Sequence, residues 1–588
     1  MLPRRLWTGA VVALLCGLLP LAPSVRADDD AEAPAPAPVL IFTIAGVDRV
    51  MGDAEGVLDS IERGDMKAPL GGLLERVGNL AGIDRTKPFG VVLLLDTEQL
   101  PPRPKPIGFV PVSSAADLAK TVGLTGSTME AVAGEADSYL LTPPNGDPMA
   151  VRIQNGYAYL TDNRLGLEGP LPDLGTLVDP LAARYDAALS IRFNAVPIGI
   201  RQVFVNFLRV SAETELQRRD EEPEAAYLVR RSNGINALEL IEQLLTQGED
   251  ITIGWDATPE KKTATLEVSI NATPDSEFAK YLHDSAGRPS MFTPLQSDDK
   301  PLSMSLSWLM NKREKTATTG LFQAAKSQLA IELPAAALPA GPLDRFFDAV
   351  QATIDSGQFD MFVQFAAPEP DKFVFLGGVK VVGGETLGLA LGETLNHVIQ
   401  RVASEGNTET APQIIPQADE YEGVVIHKII PRSIPAQERR VYGGTPEVFV
   451  GTSSRIVWFA VGKDEALPAL KGAIDIMRQA PTQPVPAGGN VPFQLTARIA
   501  KWIQLPEPEF PMAEGTEENP GRSRSNERRA ARAKERREVA QEAFSETDTL
   551  RIEARPTDSG LRIRVRFDEG FLRMMGLQAV RGFERSQL

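Results

Sequence analysis

Apolar and polar residues alternate in short runs along much of this chain, and the alternation returns at regular intervals. Leu189-Ser-Ile-Arg-Phe193, Met304-Ser-Leu-Ser-Trp308 and Phe493-Gln-Leu-Thr-Ala497 each place apolar residues two apart, the period of a half-buried strand. Asp250, Asp360 and Asp548 follow these runs after 61, 56 and 55 positions. Each Asp opens a strand that ends in a polar turn containing proline: Pro259-Glu-Lys-Lys262, Pro368-Glu-Pro-Asp371 and Pro556-Thr-Asp-Ser559. A second alternating strand follows each turn, at Leu266–Ile270, Phe373–Leu376 and Leu561–Val565. Helical spacing precedes each Asp, in Leu238–Leu245, Leu343–Val350 and Ala540–Phe544. It resumes after each hairpin, in Ser276–His283, Thr386–Val402 and Glu569–Met575.

Self-similarity at a fixed interval decides architecture before anything else. The expected fold is α+β, with mainly antiparallel sheets covered by helices. It is built from duplicated strand–helix–hairpin–helix modules in two lobes. The N-terminal lobe covers 39–298, with a module copy at 186–284. The C-terminal lobe covers 299–588, with copies at 302–404 and 491–578, and the split falls in Gln296-Ser-Asp-Asp-Lys300. Ahead of the first copy, Val39–Ile44 reads as a buried strand and Val91–Leu95 as another. Helices are expected from Val50 to Ile61 and from Leu70 to Leu80. Ser114 is placed to cap a helix with Asp117 at its third position, and Asn155-Gly156 to turn a hairpin over Met149–Leu160.

Residues 1–27 read as a secretory signal peptide: Arg4 and Arg5, an apolar core from Trp7 to Leu19, and Val25-Arg26-Ala27 at the cleavage site. Pro20 breaks the core short of the ~20 residues that a spanning helix needs. Residues 28–38 (DDDAEAPAPAP) form an acidic, disordered Ala/Pro tether. Localisation is therefore expected to be exported, in the periplasm or at the cell surface. No stable membrane insertion is expected after cleavage.

Removing the leader takes away three arginines and no acid, moving the net charge from −17 to about −20. Such a balance argues against nucleic acid as a partner. Cys16, the one cysteine, leaves with the leader, so disulfides and thiolate chemistry are excluded from the mature chain.

Candidate chemistry is sparse. The three histidines, His283, His397 and His427, have no ligand spacing, and no nucleophile elbow, phosphate loop or calcium loop occurs. No catalytic, cofactor-binding or metal-binding residue is assigned, and no cofactor is expected. His427, in Val424-Val-Ile-His-Lys-Ile-Ile430, alternates onto the face of Val425 and Ile429. It is the histidine to consider for a functional role beside its ordinary role as a core residue. Residues 522–537 carry eight basic and two acidic side chains, and Arg528, Arg532 and Arg536 would stack on one helix face. That stripe is a possible surface contact for an acidic partner, against the plainer reading of a solvated face.

Gly383-Gly384 could cradle an anion, but Glu385 at its mouth favours a structural turn. Asn271-Ala-Thr273 matches a glycosylation sequon, and Thr273 is better placed as a helix cap before Pro274. Asp250, Asp360 and Asp548 read as residues that open strands.

Gly108-Phe-Val-Pro-Val-Ser113, Asn155-Gly-Tyr-Ala-Tyr-Leu160, Phe193-Asn-Ala-Val-Pro197 and Ile253-Gly-Trp-Asp256 resemble stretches of large exported bacterial proteins described only as domains of unknown function. The resemblance covers the first half of the chain and implies export and an α+β fold. The expected function is that of an exported, non-catalytic structural or binding scaffold, for an apolar ligand or an envelope partner. The alternative is a carboxylate-based hydrolase such as a glycosidase, which needs neither His nor Cys.

Overall fold

The computed structural model describes residues 37–586, apart from 97–101, 163, 221, 286–287, 333–339, 370–371, 405–411, 481–490, 504–533 and 545–546. The expected signal peptide and nearly all of the expected tether lie outside the described residues. Contacts divide the chain into two units. One is Met1–Leu208, Gln243–Thr273 and Ala579–Leu588; the other is Arg209–Glu242 and Pro274–Gln578. Residues 274–298 group with the second unit, so the boundary after Thr273 precedes the linker expected near residue 300.

In the first unit, β1 (Leu40–Ile44) is followed by α1 (Val47–Ser60), α2 (Lys67–Arg76), β2 (Phe89–Asp96) and β3 (Arg103–Pro111). Then α3 (Ala115–Leu124) leads into β4 (Thr128–Ala131), β5 (Ser138–Thr142), β6 (Met149–Gln154) and β7 (Tyr157–Thr161). After α4 (Leu174–Ala182) come β8 (Ala187–Arg192), α5 (Ile198–Glu215), α6 (Glu224–Gln247), β9 (Gly248–Thr258) and β10 (Thr263–Ala272), with Arg209–Glu242 of α5 and α6 grouping with the second unit. Antiparallel pairing sets the order β4–β5–β6–β7–β3–β2–β1–β8–β9–β10.

The second unit opens with α7 (Glu277–Ser285) and β11 (Leu302–Leu309), then α8 (Lys312–Glu332), α9 (Ala340–Ser356), β12 (Gln358–Glu369) and β13 (Lys372–Lys380). It continues through α10 (Gly384–Ser404), β14 (Gln413–Tyr421), β15 (Val424–Ile430), α11 (Ala436–Val441), β16 (Glu447–Thr452), β17 (Ile456–Gly462) and α12 (Ala466–Gln479). Last come β18 (Phe493–Arg498), α13 (Ile499–Ile503), α14 (534–543), β19 (Thr549–Pro556), β20 (Gly560–Asp568) and α15 (Glu569–Ser586). Its order, β14–β15–β16–β17–β13–β12–β11–β18–β19–β20, follows the same rule as the first unit. The class is α+β.

Local chemistry accounts for the element ends. Ser114 Oγ accepts the Asp117 amide at 3.3 Å and starts α3. Asn155 and Gly156 both take positive φ, 54° and 78°, as a two-residue hairpin turn requires. The cap of α7 is Ser276, whose Oγ accepts the Ala279 amide at 3.0 Å, and not Thr273. Thr273 still belongs to the sheet end, its amide bonded to Gln247 O at 2.8 Å, and Asp275 turns at φ 62° before the helix can begin.

Each unit buries one sheet face under a helix. In the first, α4 sets Leu174 and Val178 onto Ile41, Val92, Ile107 and Tyr159. In the second, α12 sets Leu470 and Ile474 onto Phe362, Leu376 and Trp458. Polar groups drawn into these faces find partners. Glu267, 2 % exposed, accepts from Arg184 and Tyr185, each at 2.7 Å. Asp548, 1 % exposed, pairs with Arg498 and accepts the Ala500 amide at 2.8 Å.

Removing the Asp548 carboxylate leaves a guanidinium and an amide without their anion. Asp548→Ala is expected to cost about 3 kcal/mol, read as a lower urea midpoint with the folded spectrum retained. A loss below about 0.5 kcal/mol would show that Arg498 is served by water instead.

Candidate functional site

The second face of the first sheet is the unusual one. Alternation sends successive side chains to opposite faces, and register stacks Val91, Phe42, Leu189, Ile253 and Val268 across β2–β1–β8–β9–β10. One row on one side is Leu93–Leu40–Ile191–Ile251–Ile270; on the other it is Phe89–Ile44–Ala187–Trp255–Leu266. No polar side chain interrupts these rows.

The middle row is the least covered, with Phe42 39 %, Val91 38 % and Ile253 36 % exposed. Val39–Ile44 is therefore not a strand buried on both faces. At five strands the row runs ~19 Å.

Helices close the margins of this face but not its centre. Leu118 of α3 packs with Val151, Ala158 and Leu160 over the β6–β7 side. Phe204 and Val205 of α5 and Leu245 of α6 pack with Ile191 and Ile251 at one end. The helices that join β1 to β2, α1 and α2, contribute no buried residue at all. In the second unit the corresponding α9 buries Phe347, Ala349 and Ile354, and with Leu387 it closes over Val457. There Met304, Leu306 and Val363 are half-buried.

A carboxylate pair stands at the foot of α1. Arg49 Nε lies 2.7 Å from Asp186 Oδ1, and Nη2 lies 2.7 Å from Asp256 Oδ1. Its Nη1 donates to Ala182 O at 2.8 Å. Asp53, one turn along α1, lies beside Asp186. Burial, with the charge of Asp186 next, pushes Asp53 up to about 7. Asp53 Oδ2 is sealed from water with no donor against it, while Asp186 pairs with Arg49 through Oδ1 and accepts the Ala257 amide through Oδ2 at 2.5 Å.

His427 is 1 % exposed on β15, beneath Gly392 of α10. Its Nδ1 accepts the Gln417 amide at 3.3 Å, which leaves the ring proton on Nε2 without a partner. Burial lowers its pKa. His283 is exposed and His397 half-buried, on separate helices. Arg536 is exposed on α14, and Arg528 and Arg532 lie outside the described residues.

The Gly384 amide donates to Ser454 O at 3.1 Å and is not free for an anion. Asn271 Nδ2 donates to Asp250 at 3.1 and 3.2 Å. Asp360 accepts from Ser290 Oγ at 2.5 Å and from the Met291 amide at 2.8 Å; burial raises its pKa. These are duties of folding.

Among the described residues no three His, Cys, Asp or Glu side chains are placed to hold a metal ion, and no helix is long and apolar enough to cross a membrane. A recess of about 290 Å³ in the second unit is rimmed by Asp299, Lys300, Glu465 and Lys501, charges of both signs that select no ligand class. The chain matches no family model, no curated protein and no solved structure.

Because the folded state holds His427 below its ordinary value of 6.5, the unfolded chain takes up the proton first as pH falls. Its neutral form therefore contributes stability above pH 6.5 that is lost on acidification, by up to about 1.4 kcal/mol per pH unit. His427→Leu should lessen the fall in urea midpoint between pH 7 and pH 5. An unchanged fall would assign acid sensitivity to other groups.

Proposed function

We propose that this protein is an exported, non-catalytic binding protein that holds an extended apolar chain against the open sheet face of its first unit. The observation that carries this reading is the uninterrupted row Val91–Phe42–Leu189–Ile253–Val268, more than a third exposed at three positions. Apolar rows of this length are normally covered in a monomer. A charge-free strip ~19 Å long suits an acyl or similar chain better than a polar ligand. Export rests on the leader over residues 1–27. The shared strand order of the two units supports duplication of a strand–helix–hairpin–helix module, with one copy keeping its face closed and the other leaving it open.

A carboxylate hydrolase draws less support. Asp53 Oδ2 and Asp186 Oδ1 are sealed from water, and a substrate would need to reach them.

The test is titration of the purified mature chain with a fluorescent fatty acid. Saturable binding is expected. Phe42→Asp should weaken it at least about tenfold, since charge in an apolar row costs more than the ~1.4 kcal/mol this represents. Leu389→Asp, at a 70 % exposed position of α10, should leave binding unchanged. Equal effects of the two substitutions, or no binding, would end the proposal.

A further inference from the structure

The last hairpin of the second unit carries charges that its pairing does not require. Arg551 and Arg555 on β19 share one sheet face with Arg562, Arg564 and Arg566 on β20, because side chains two apart point the same way. Register sets Arg551 directly opposite Arg566 and Arg555 directly opposite Arg562, with Glu553 opposite Arg564. Like charges so placed destabilise a hairpin. The other face, Leu550, Ile552, Ala554, Ile563, Val565 and Phe567, is wholly apolar.

The hairpin at the same place in the first unit's strand order, β9–β10, forms without any arginine. Its face opposite Ile251, Ile253 and Trp255 carries no cation, only Thr252, Gly254, Asp256, Thr265, Glu267 and Ser269 between the strand ends. In β19–β20 most acids stand at the margins: Asp298 pairs with Arg551 from one side, Asp568 ends β20, and Asp558 lies in the turn. Glu553, which pairs with Arg555 at 2.9 Å, is the one acid in the middle. Arg555, Arg564 and Arg566 are exposed. The result is a concentrated basic patch on a chain of net charge −17.

We infer that this face binds a chain of linked phosphates, an inorganic polyphosphate lying along β20. Arg562, Arg564 and Arg566 line that strand over ~14 Å, so a repeating anion meets all three while a single phosphate does not. Every cation on the face is Arg and none is Lys, and the guanidinium fork takes phosphate oxygens two at a time. The face offers no aromatic ring, whereas proteins that hold single-stranded nucleic acid add rings on which bases stack. A ligand that is anionic along its whole length needs none. A bilayer surface suits the patch less, because Arg551 and Arg562 are half-buried, and a slender chain reaches them where a flat surface does not. This inference does not depend on what the sheet face of the first unit binds.

Titration of the purified mature chain with fluorescently labelled long-chain polyphosphate at low salt tests it, with orthophosphate, heparin and anionic phospholipid vesicles as competitors. Long-chain polyphosphate is expected to bind, orthophosphate to compete weakly, and added salt to weaken the complex. Arg564→Gln/Arg566→Gln should lose at least about tenfold in affinity. Arg566→Gln alone removes the repulsion with Arg551, so its urea midpoint should stay level or rise while its affinity still falls. Arg219→Gln/Arg231→Gln, at exposed arginines of the α5–α6 hairpin, should bind as the wild type does. An affinity unchanged in Arg564→Gln/Arg566→Gln would place binding elsewhere, such as the basic run 522–537, and overturn the assignment. No binding, an equal loss in the Arg219→Gln/Arg231→Gln chain, or stronger competition by heparin or vesicles than by unlabelled polyphosphate at equal charge would overturn it as well.

Discussion

Pairing between strands far apart in the chain is the constraint on which each unit depends. In the first, Leu40 stands opposite Ile191 and Ile44 opposite Ala187, so β1 and β8 must meet before the sheet is continuous. In the second, Leu302 stands opposite Ala497 across β11 and β18. Each pair joins two three-stranded meanders, β3–β2–β1 to β8–β9–β10 and β13–β12–β11 to β18–β19–β20. Loop closure over such separations is unfavourable until many contacts form together. Register is then held by side chains on both faces, because a slip of one residue would exchange the faces entirely.

That exchange would be costly, since the central strands bury the positions one would expect to be wet. Ser303 and Ser305 on β11 are 0 % and 1 % exposed, while Leu302, Met304 and Leu306 between them are only half-buried. Ser190 on β8 is buried and receives Thr252 Oγ1 at 3.1 Å, while Leu189 and Ile191 face the partly open side. Small hydroxyls tolerate burial when each finds a partner, and they let a neighbouring layer approach closely. The larger acids follow the same rule. Glu267 has Arg184 and Tyr185, Asp548 has Arg498, and Asp360 has Ser290. Asp53 is the exception, with Oδ2 sealed from water and no donor against it.

The period-two signal made most of the strands legible. Leu189–Arg192, Met304–Trp308 and the hairpins after Asp250, Asp360 and Asp548 lie in strands that the structure contains, while Phe193 opens a 3-10 turn. Alternation states that two faces differ but not which is covered, so the open row through Phe42 had no sequence signature. Val39-Leu-Ile-Phe-Thr-Ile44 reads as a continuous apolar run, and its exposure at Phe42 depends on neighbours more than 40 positions away. The pair of Asp53 and Asp186, 133 positions apart, is created by the docking of α1 and could not be found by spacing. Thr273 failed as a cap because proline placement alone does not reveal where the chain turns.

The two faces differ in cover, and the crossing helices differ in composition with them. α9 carries Phe346 and Phe347 side by side, with the Phe347 ring 4.7 Å from that of Phe322 on α8, so the pair of helices fills its own interior. α1 carries Gly52 and Gly56 and no aromatic residue. Gly56 is fixed by a close approach, since a Cβ there would fall 2.5 Å from Pro259 Cβ. Each glycine costs a helix interior about 1 kcal/mol against alanine. A helix so made can lean on a turn at the sheet end, but it cannot supply the volume that a sheet of Phe42, Val91 and Ile253 leaves uncovered. The Phe42 face stays partly open, and where its packing is thin α1 is anchored by Arg49, which reaches Asp186, Asp256 and the Ala182 carbonyl.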